Sequence, residues 1–139
     1  PASLREMAGV TPGWRAQIAR DGVLSWVRST NGGRMGGAMT PDQLEWWAQL
    51  MGRTAPSTLE GFLQMVPSVD LRDEVPRIAA PTLVVTTTGS GLGSVETVKA
   101  WQERISGSQL AVVESDSYHV AASDADHVAH KVKDFLLAC

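Results

Sequence analysis

The sequence predicts an α/β fold: a helical segment followed by a β-α-β-α unit with a short parallel sheet. Two observations carry that expectation. Residues 82–88 form an apolar, β-branched run that breaks into Gly89-Ser90-Gly91-Leu92-Gly93 and resumes as a helical pattern. Residues 109–114 (Gln-Leu-Ala-Val-Val-Glu) then repeat the strand signal, so 82–114 reads as one strand–helix–strand unit. Parallel strands joined by a helix have their C-terminal ends on the same sheet edge. The Gly89–Gly93 loop and the segment Ser117-Tyr118-His119 therefore leave the sheet side by side, on the edge where open α/β sheets carry their sites.

The helices announce themselves by their caps. Thr11-Pro12 reads as an N-cap followed by proline, opening a helix through Arg20 with Trp14 and Ile18 on one face. Asp21-Gly22 ends it, Val23–Ser29 forms a further short helix, and Asn31-Gly32-Gly33 with Gly36-Gly37 breaks the pattern. Thr40-Pro41-Asp42-Gln43 is a capping box opening a helix with Leu44, Trp47 and Met51 at helical spacing. Ser57-Thr58-Leu59-Glu60 reads as a second box, with Leu59, Phe62, Leu63 and Val66 as its apolar stripe and Pro67 at its end. Ser94 caps a helix carrying Val95, Val98, Trp101 and Ile105, and Ser123 caps a last helix with Val128, Val132, Phe135 and Leu136 facing inward. The expected division is a helical segment over residues 1–73 and an α/β part over 74–139.

Composition narrows the function classes. A chain of 139 residues with 43% hydrophobic and 19% charged residues fits one globular unit. A net charge of −3 offers no basic stripe to a nucleic acid or an anionic membrane. No apolar run is long enough to span a bilayer, and the first residues lack the layout of a secretory signal. Cys139 is the single cysteine, which excludes an internal disulfide and a cysteine metal cluster. The expectation is a cytoplasmic setting with no cofactor and no metal; His127 and His130 stand at i, i+3, but no third ligand is suggested. Core packing is the favoured role for the tryptophan-rich helices. Adjacent Trp46 and Trp47 cannot share one helix face, however, so Trp46, Trp47 and Trp14 are candidates for a substrate pocket.

Ile78-Ala79-Ala80-Pro81-Thr82-Leu83-Val84-Val85, then His119, then Asp134-Phe135-Leu136 resemble the C-terminal half of the α/β-hydrolase family. There the pattern I-x-x-P-T-L-V-V precedes a loop carrying the catalytic acid, and the catalytic histidine follows the next strand. The helical segment resembles the family's cap in length and position. Thr11-Pro12-Gly13-Trp14-Arg15, with Ile18, Gly22 and Val23, is similar to the cap start of small-acid lactone hydrolases such as 3-oxoadipate enol-lactonase. The resemblance implies part of a serine-type hydrolase acting on a small ester or lactone, with His119 as general base and then general acid. The chain has no G-x-S-x-G elbow, so the nucleophile half is expected to be missing and the isolated chain inactive.

The acid departs from the family pattern, since Ser90 stands where the resemblance places an aspartate. Asp116, Glu96 and Asp70 are the alternative acids, and the sequence does not choose among them. The competing class is a nucleotide or phosphate binder using Gly89-Ser90-Gly91-Leu92-Gly93 ahead of a helix N-terminus. Its spacing is not G-x-G-x-x-G and no lysine follows. A non-catalytic interaction fragment is the third possibility. A two-stranded sheet leaves an unpaired edge, so the chain is expected to self-associate or to pair with the missing N-terminal half.

Overall fold

The computed structural model describes residues 13–138. The expected cap Thr11 and the proline after it lie outside the described residues. Helix α1 spans Trp14–Met35, α2 Pro41–Met51 and α3 Pro56–Met65, followed by tight turns at Val66–Ser68 and Val75–Arg77. Strand β1 is Leu83–Thr87, α4 Val95–Gln102, β2 Gln109–Val113, α5 the single turn Val120–Ser123, and α6 Ala125–Ala138. β1 and β2 pair in parallel, Leu83 opposite Gln109 and Thr87 opposite Val113, with α4 as the crossover. The expected α/β class and parallel pairing are what the chain adopts.

α1 kinks at Gly22, whose φ of 81° is outside helical geometry, so the break expected at Asp21-Gly22 is present. The second expected break is not. The helix runs through Asn31, Gly32 and Gly33 to Met35. Asn31 explains this: it is buried, and its Nδ2 donates to the Leu44 carbonyl of α2 at 3.1 Å, an attachment that outweighs the low helix propensity of the two glycines. Arg28 and Glu45 join the same two helices by a bidentate ion pair, and the guanidinium holds the Glu45 carboxyl down at about 2.

The caps divide in the same way. Thr40 forms the full capping box with Gln43, and the Ser94 hydroxyl accepts from Thr97 N at 3.2 Å. Ser57 does not cap α3: Pro56 takes the first helical position and Ala55 the cap, which has no side-chain bond. Ser123 does not cap α6 either, because it closes the short turn α5 and its hydroxyl is buried without a partner among the described residues.

Two apolar clusters hold the chain together. Trp14, Ile18, Val23, Trp26, Val27, Ala48 and Leu63 unite α1, α2 and α3, with Leu24, Met51 and Leu59 packed against them. Val113, Val120 and Val128 join β2, α5 and α6, with Val85 of β1 alongside. Several residues expected to face inward are exposed instead: Val132 and Leu136 on α6, Phe62 on α3 and Trp101 on α4. Their stripes have helical spacing, but nothing among the described residues covers them.

Candidate active site

His119 follows β2 by way of the loop 114–118 and stands at the start of α5. Hydroxyls fix that loop from within. Ser117 N donates to Ser115 Oγ at 3.1 Å, His119 N donates to Ser117 Oγ at 3.0 Å, and Thr87 Oγ1 donates to the Ser117 carbonyl at 2.8 Å. Ser117 is fully buried and Thr87 nearly so, which makes this a rigid join between the last residue of β1 and the histidine loop. The loop leaving β1 runs directly beside it. Gly89 N donates to the Ser115 carbonyl at 2.9 Å, and a Cβ on Gly89 would come within 3.0 Å of Asp116 Cα. The two loops therefore lie side by side on the C-terminal sheet edge, as the βαβ reading requires.

The histidine loop also meets the end of α1. The Arg34 carbonyl accepts from Ser117 Oγ at 3.0 Å, Tyr118 N at 3.2 Å and His119 N at 3.4 Å. Helix C-terminal carbonyls have no partner within the helix, so one of them is free to receive the loop. The Arg34 side chain is buried: its guanidinium lies over the Trp26 ring at 4.7 Å and donates from Nη1 to Thr30 Oγ1 at 2.6 Å. Among the described residues no carboxylate pairs with it. Burial lowers its pKa, and the neighbouring Tyr118 hydroxyl partly opposes that.

The His119 ring packs against Tyr118 with centroids 4.8 Å apart, and neither ring nitrogen bonds a described residue. Its pKa is lowered from 6.5, first by partial loss of solvent and second by the Arg34 charge. The residue is exposed, so water screens both effects; they share one sign, which favours neutral imidazole, the form a general base needs. Between the lowered value and 6.5 the unfolded chain binds more protons than the folded one. This contribution to stability is therefore complete above 6.5 and is lost as pH falls through the folded value. An imidazole titration followed by NMR should give a folded pKa below that of the urea-unfolded chain; a value at or above the unfolded one would contradict the assignment.

None of the candidate acids bonds the ring. The Ser90 hydroxyl accepts from Leu92 N at 3.2 Å and shapes its own loop. Asp116 accepts from Gly37 N through both carboxylate oxygens, each at 3.1 Å. Glu96 is turned to its own backbone and to Ser94 at the start of α4, which lowers its pKa, and Asp70 is paired with Arg72 and held at about 2. The pocket candidates separate as well. Trp14 is buried in the helical core, while Trp46, 59% exposed, meets the half-buried Trp47 edge-on at 5.4 Å. A cleft of about 240 Å³ lies between α1 and α2, lined by Arg28, Asn31, Gly32, Pro41, Leu44, Glu45 and Ala48; none of the three tryptophans lines it.

Arg34 and Ser117 are site residues that the sequence reading missed. Arg34 stands in a stretch read as a break, and Ser117 is named only as part of the segment leading to His119, although Ser-x-His is a spacing at which a hydroxyl can accept from the histidine's amide. No group of described histidine, cysteine or acidic residues is placed to hold a metal; His127 pairs with Asp124 at 3.5 Å and His130 Nδ1 lies 2.7 Å from the Asp126 carbonyl. No described helix is long and apolar enough to cross a membrane.

A helical segment laid before two parallel strands, with a histidine loop at their C-terminal edge, is α/β-hydrolase-like in fold. The chain is similar to the enol-lactonase from Burkholderia xenovorans, with a TM-score of 0.76 and 18% identity over 89% of this chain and 48% of that one. It is also similar to a hydrolase from Oleispira antarctica, with a TM-score of 0.70 and 18% identity over 86% of this chain and 45% of that one. The chain thus spans about half the length of each of these structures. No protein-family model matches it, and no curated protein matches it by sequence.

Proposed function

We propose that the chain is the cap and histidine-bearing part of a serine-type α/β-hydrolase acting on a small ester or lactone. Residues 1–73 form the cap-like segment and 74–139 the α/β part. His119 is the general base, and the serine nucleophile lies in a second half outside residues 1–139. The observation that carries this reading is the seat of His119: a loop after β2, pinned to Arg34 and Ser117, beside the loop leaving β1. Ser90 holds the position of the acid; with Asp116 turned to Gly37, Glu96 to Ser94 and Asp70 to Arg72, the ring is left to be oriented by an acid of the other half. Trp46 and Trp47 are the pocket candidates with open surface, whereas Trp14 is buried in the helical core. The setting is cytoplasmic and needs no cofactor.

The phosphate-binding reading has less support. The amide groups it would need at the start of α4 already face Ser94 and Glu96, and a carboxylate there repels an anion. The exposed Phe62, Met65, Val69, Leu71, Leu136 and Leu137 fit association with the second half or with another copy. A monodisperse species near 14.9 kDa in sedimentation of the chain alone would count against self-association.

The test of function is hydrolysis of p-nitrophenyl acetate and of a small lactone by this chain alone and by the chain joined to an α/β-hydrolase N-terminal half. Activity is expected from the joined protein and not from the chain alone. Ser90→Asp in the joined protein should raise turnover. A joined, folded protein that hydrolyses neither compound would refute the proposal.

A further inference from the structure

We propose that Asp116 is a positioning residue: its carboxylate fastens the histidine loop to the glycine turn at the end of α1, so that the place of His119 depends on the cap. Its effect on turnover rests on the reading of His119 as the base; the fastening itself does not.

The attachment has two parts, one on the main chain and one on a side chain. On the main chain, the Arg34 carbonyl receives Ser117 Oγ, Tyr118 N and His119 N. Three residues further along the cap, both Asp116 oxygens accept from Gly37 N, across 79 positions of sequence. A hydrogen bond to an ionised carboxylate is stronger than one between neutral groups, and this one is made to a backbone amide that has left the helix. The approach is close enough to dictate the residue facing it. At Gly36, φ is 67°, and an added Cβ would stand 2.0 Å from Asp116 Oδ1 and 2.9 Å from Ser117 N. Only glycine combines that backbone conformation with that clearance.

Gly89 also closes on the same residue, with its Cβ position 3.0 Å from Asp116 Cα. Asp116 thus meets both the turn after α1 and the loop after β1. His119 lies three residues beyond it, and its own amide is tied to both Arg34 and Ser117. A shift of the end of α1 must move the histidine loop, because short bonds link residues 34 and 37 to residues 116–119. The same geometry separates Asp116 from the orienting-acid role: its two oxygens face Gly37, and no bond joins them to the imidazole.

The experiment compares Asp116→Ala and Asp116→Asn. In the isotopically labelled chain, water exchange of the Gly37 and His119 amides and the titration of the His119 ring are followed by NMR. In the joined protein, kcat and KM for p-nitrophenyl acetate are measured. Asp116→Ala should speed exchange at Gly37 by about tenfold or more, with a smaller rise at His119. Asp116→Asn, which keeps an acceptor oxygen, should recover most of the protection. The His119 pKa should move by less than about 0.3 in Asp116→Asn, because the carboxylate is not the ring's partner. In the joined protein Asp116→Ala should lower kcat by about tenfold with KM nearly unchanged, and Asp116→Asn should restore it. Unchanged Gly37 exchange in Asp116→Ala would overturn the fastening. A His119 pKa about one unit lower in Asp116→Asn, with kcat lost equally in both variants, would make Asp116 the orienting acid and overturn the positioning role. If the joined protein lacks ester turnover altogether, the hydrolase reading fails while the exchange measurement still decides the fastening.

Discussion

Trp26→Ala is expected to destabilise the chain by about 3–5 kcal/mol, the range for truncating a buried tryptophan to alanine. Trp26 is 2% exposed, at the centre of the cluster that unites α1, α2 and α3. Its removal leaves a cavity lined by three helices whose backbones cannot all close on it. It also takes away the ring beneath Arg34, a contact of roughly 1–2 kcal/mol where the cation is sheltered from water. One term opposes: the buried indole N–H has no partner among the described residues, and truncation removes that unsatisfied donor. Trp26→Phe separates the terms. It keeps an aromatic face under Arg34 and drops the N–H, so its cost should be less than half that of alanine. Urea unfolding reads both variants as shifts in midpoint at constant slope. A loss below about 1 kcal/mol for Trp26→Ala would show that the three helices do not share this core.

His119→Ala carries the largest expected effect on activity. In the joined protein, ester turnover should fall by at least about 10³-fold, since the proposed base both activates the nucleophile and protonates the leaving group. Stability should change by no more than about 0.5 kcal/mol, the usual range for a surface substitution. The residue is exposed, its ring bonds no described residue, and the bonds holding the loop come from its main chain and from Ser117. The pair of measurements separates chemistry from structure. Turnover within tenfold of the parent would remove His119 from the mechanism, and lost activity accompanied by lost stability would make it a structural residue.

What was legible in the sequence was local. The β-branched runs at 82–88 and 109–114 gave strands Leu83–Thr87 and Gln109–Val113, because each carries its own signal within a few residues. Thr40 and Ser94 were readable as caps for the same reason: donor and acceptor lie three positions apart. The continuation of α1 through Gly32-Gly33 was not readable, since it depends on Asn31 reaching Leu44 of another helix. The stripes of α6 were readable as helical, but which face would be covered was not. Val132 and Leu136 are exposed, and nothing in their spacing announces it.

The site divides along the same line. His119 and the glycine loop could be placed on one sheet edge from the order of the elements alone. Asp116 could be singled out only as a carboxylate near the histidine. Its engagement with Gly37 joins two segments with most of the chain between them, and no local pattern encodes such a contact. Arg34 was hidden for a related reason: a charged residue in a glycine-rich stretch reads as solvated until the fold buries it against Trp26.

Whether the proposed base His119 serves a serine outside residues 1–139 can be read from covalent trapping with a fluorophosphonate. The reagent is mixed with the chain alone, with the joined protein and with the joined protein carrying His119→Ala, and the modified residue is located by mass spectrometry. Rapid labelling of one serine outside residues 1–139 is expected in the joined protein, with a large drop in rate without the imidazole and no labelling of the chain alone. Labelling of a serine within residues 1–139, or labelling whose rate ignores His119, would contradict the proposal.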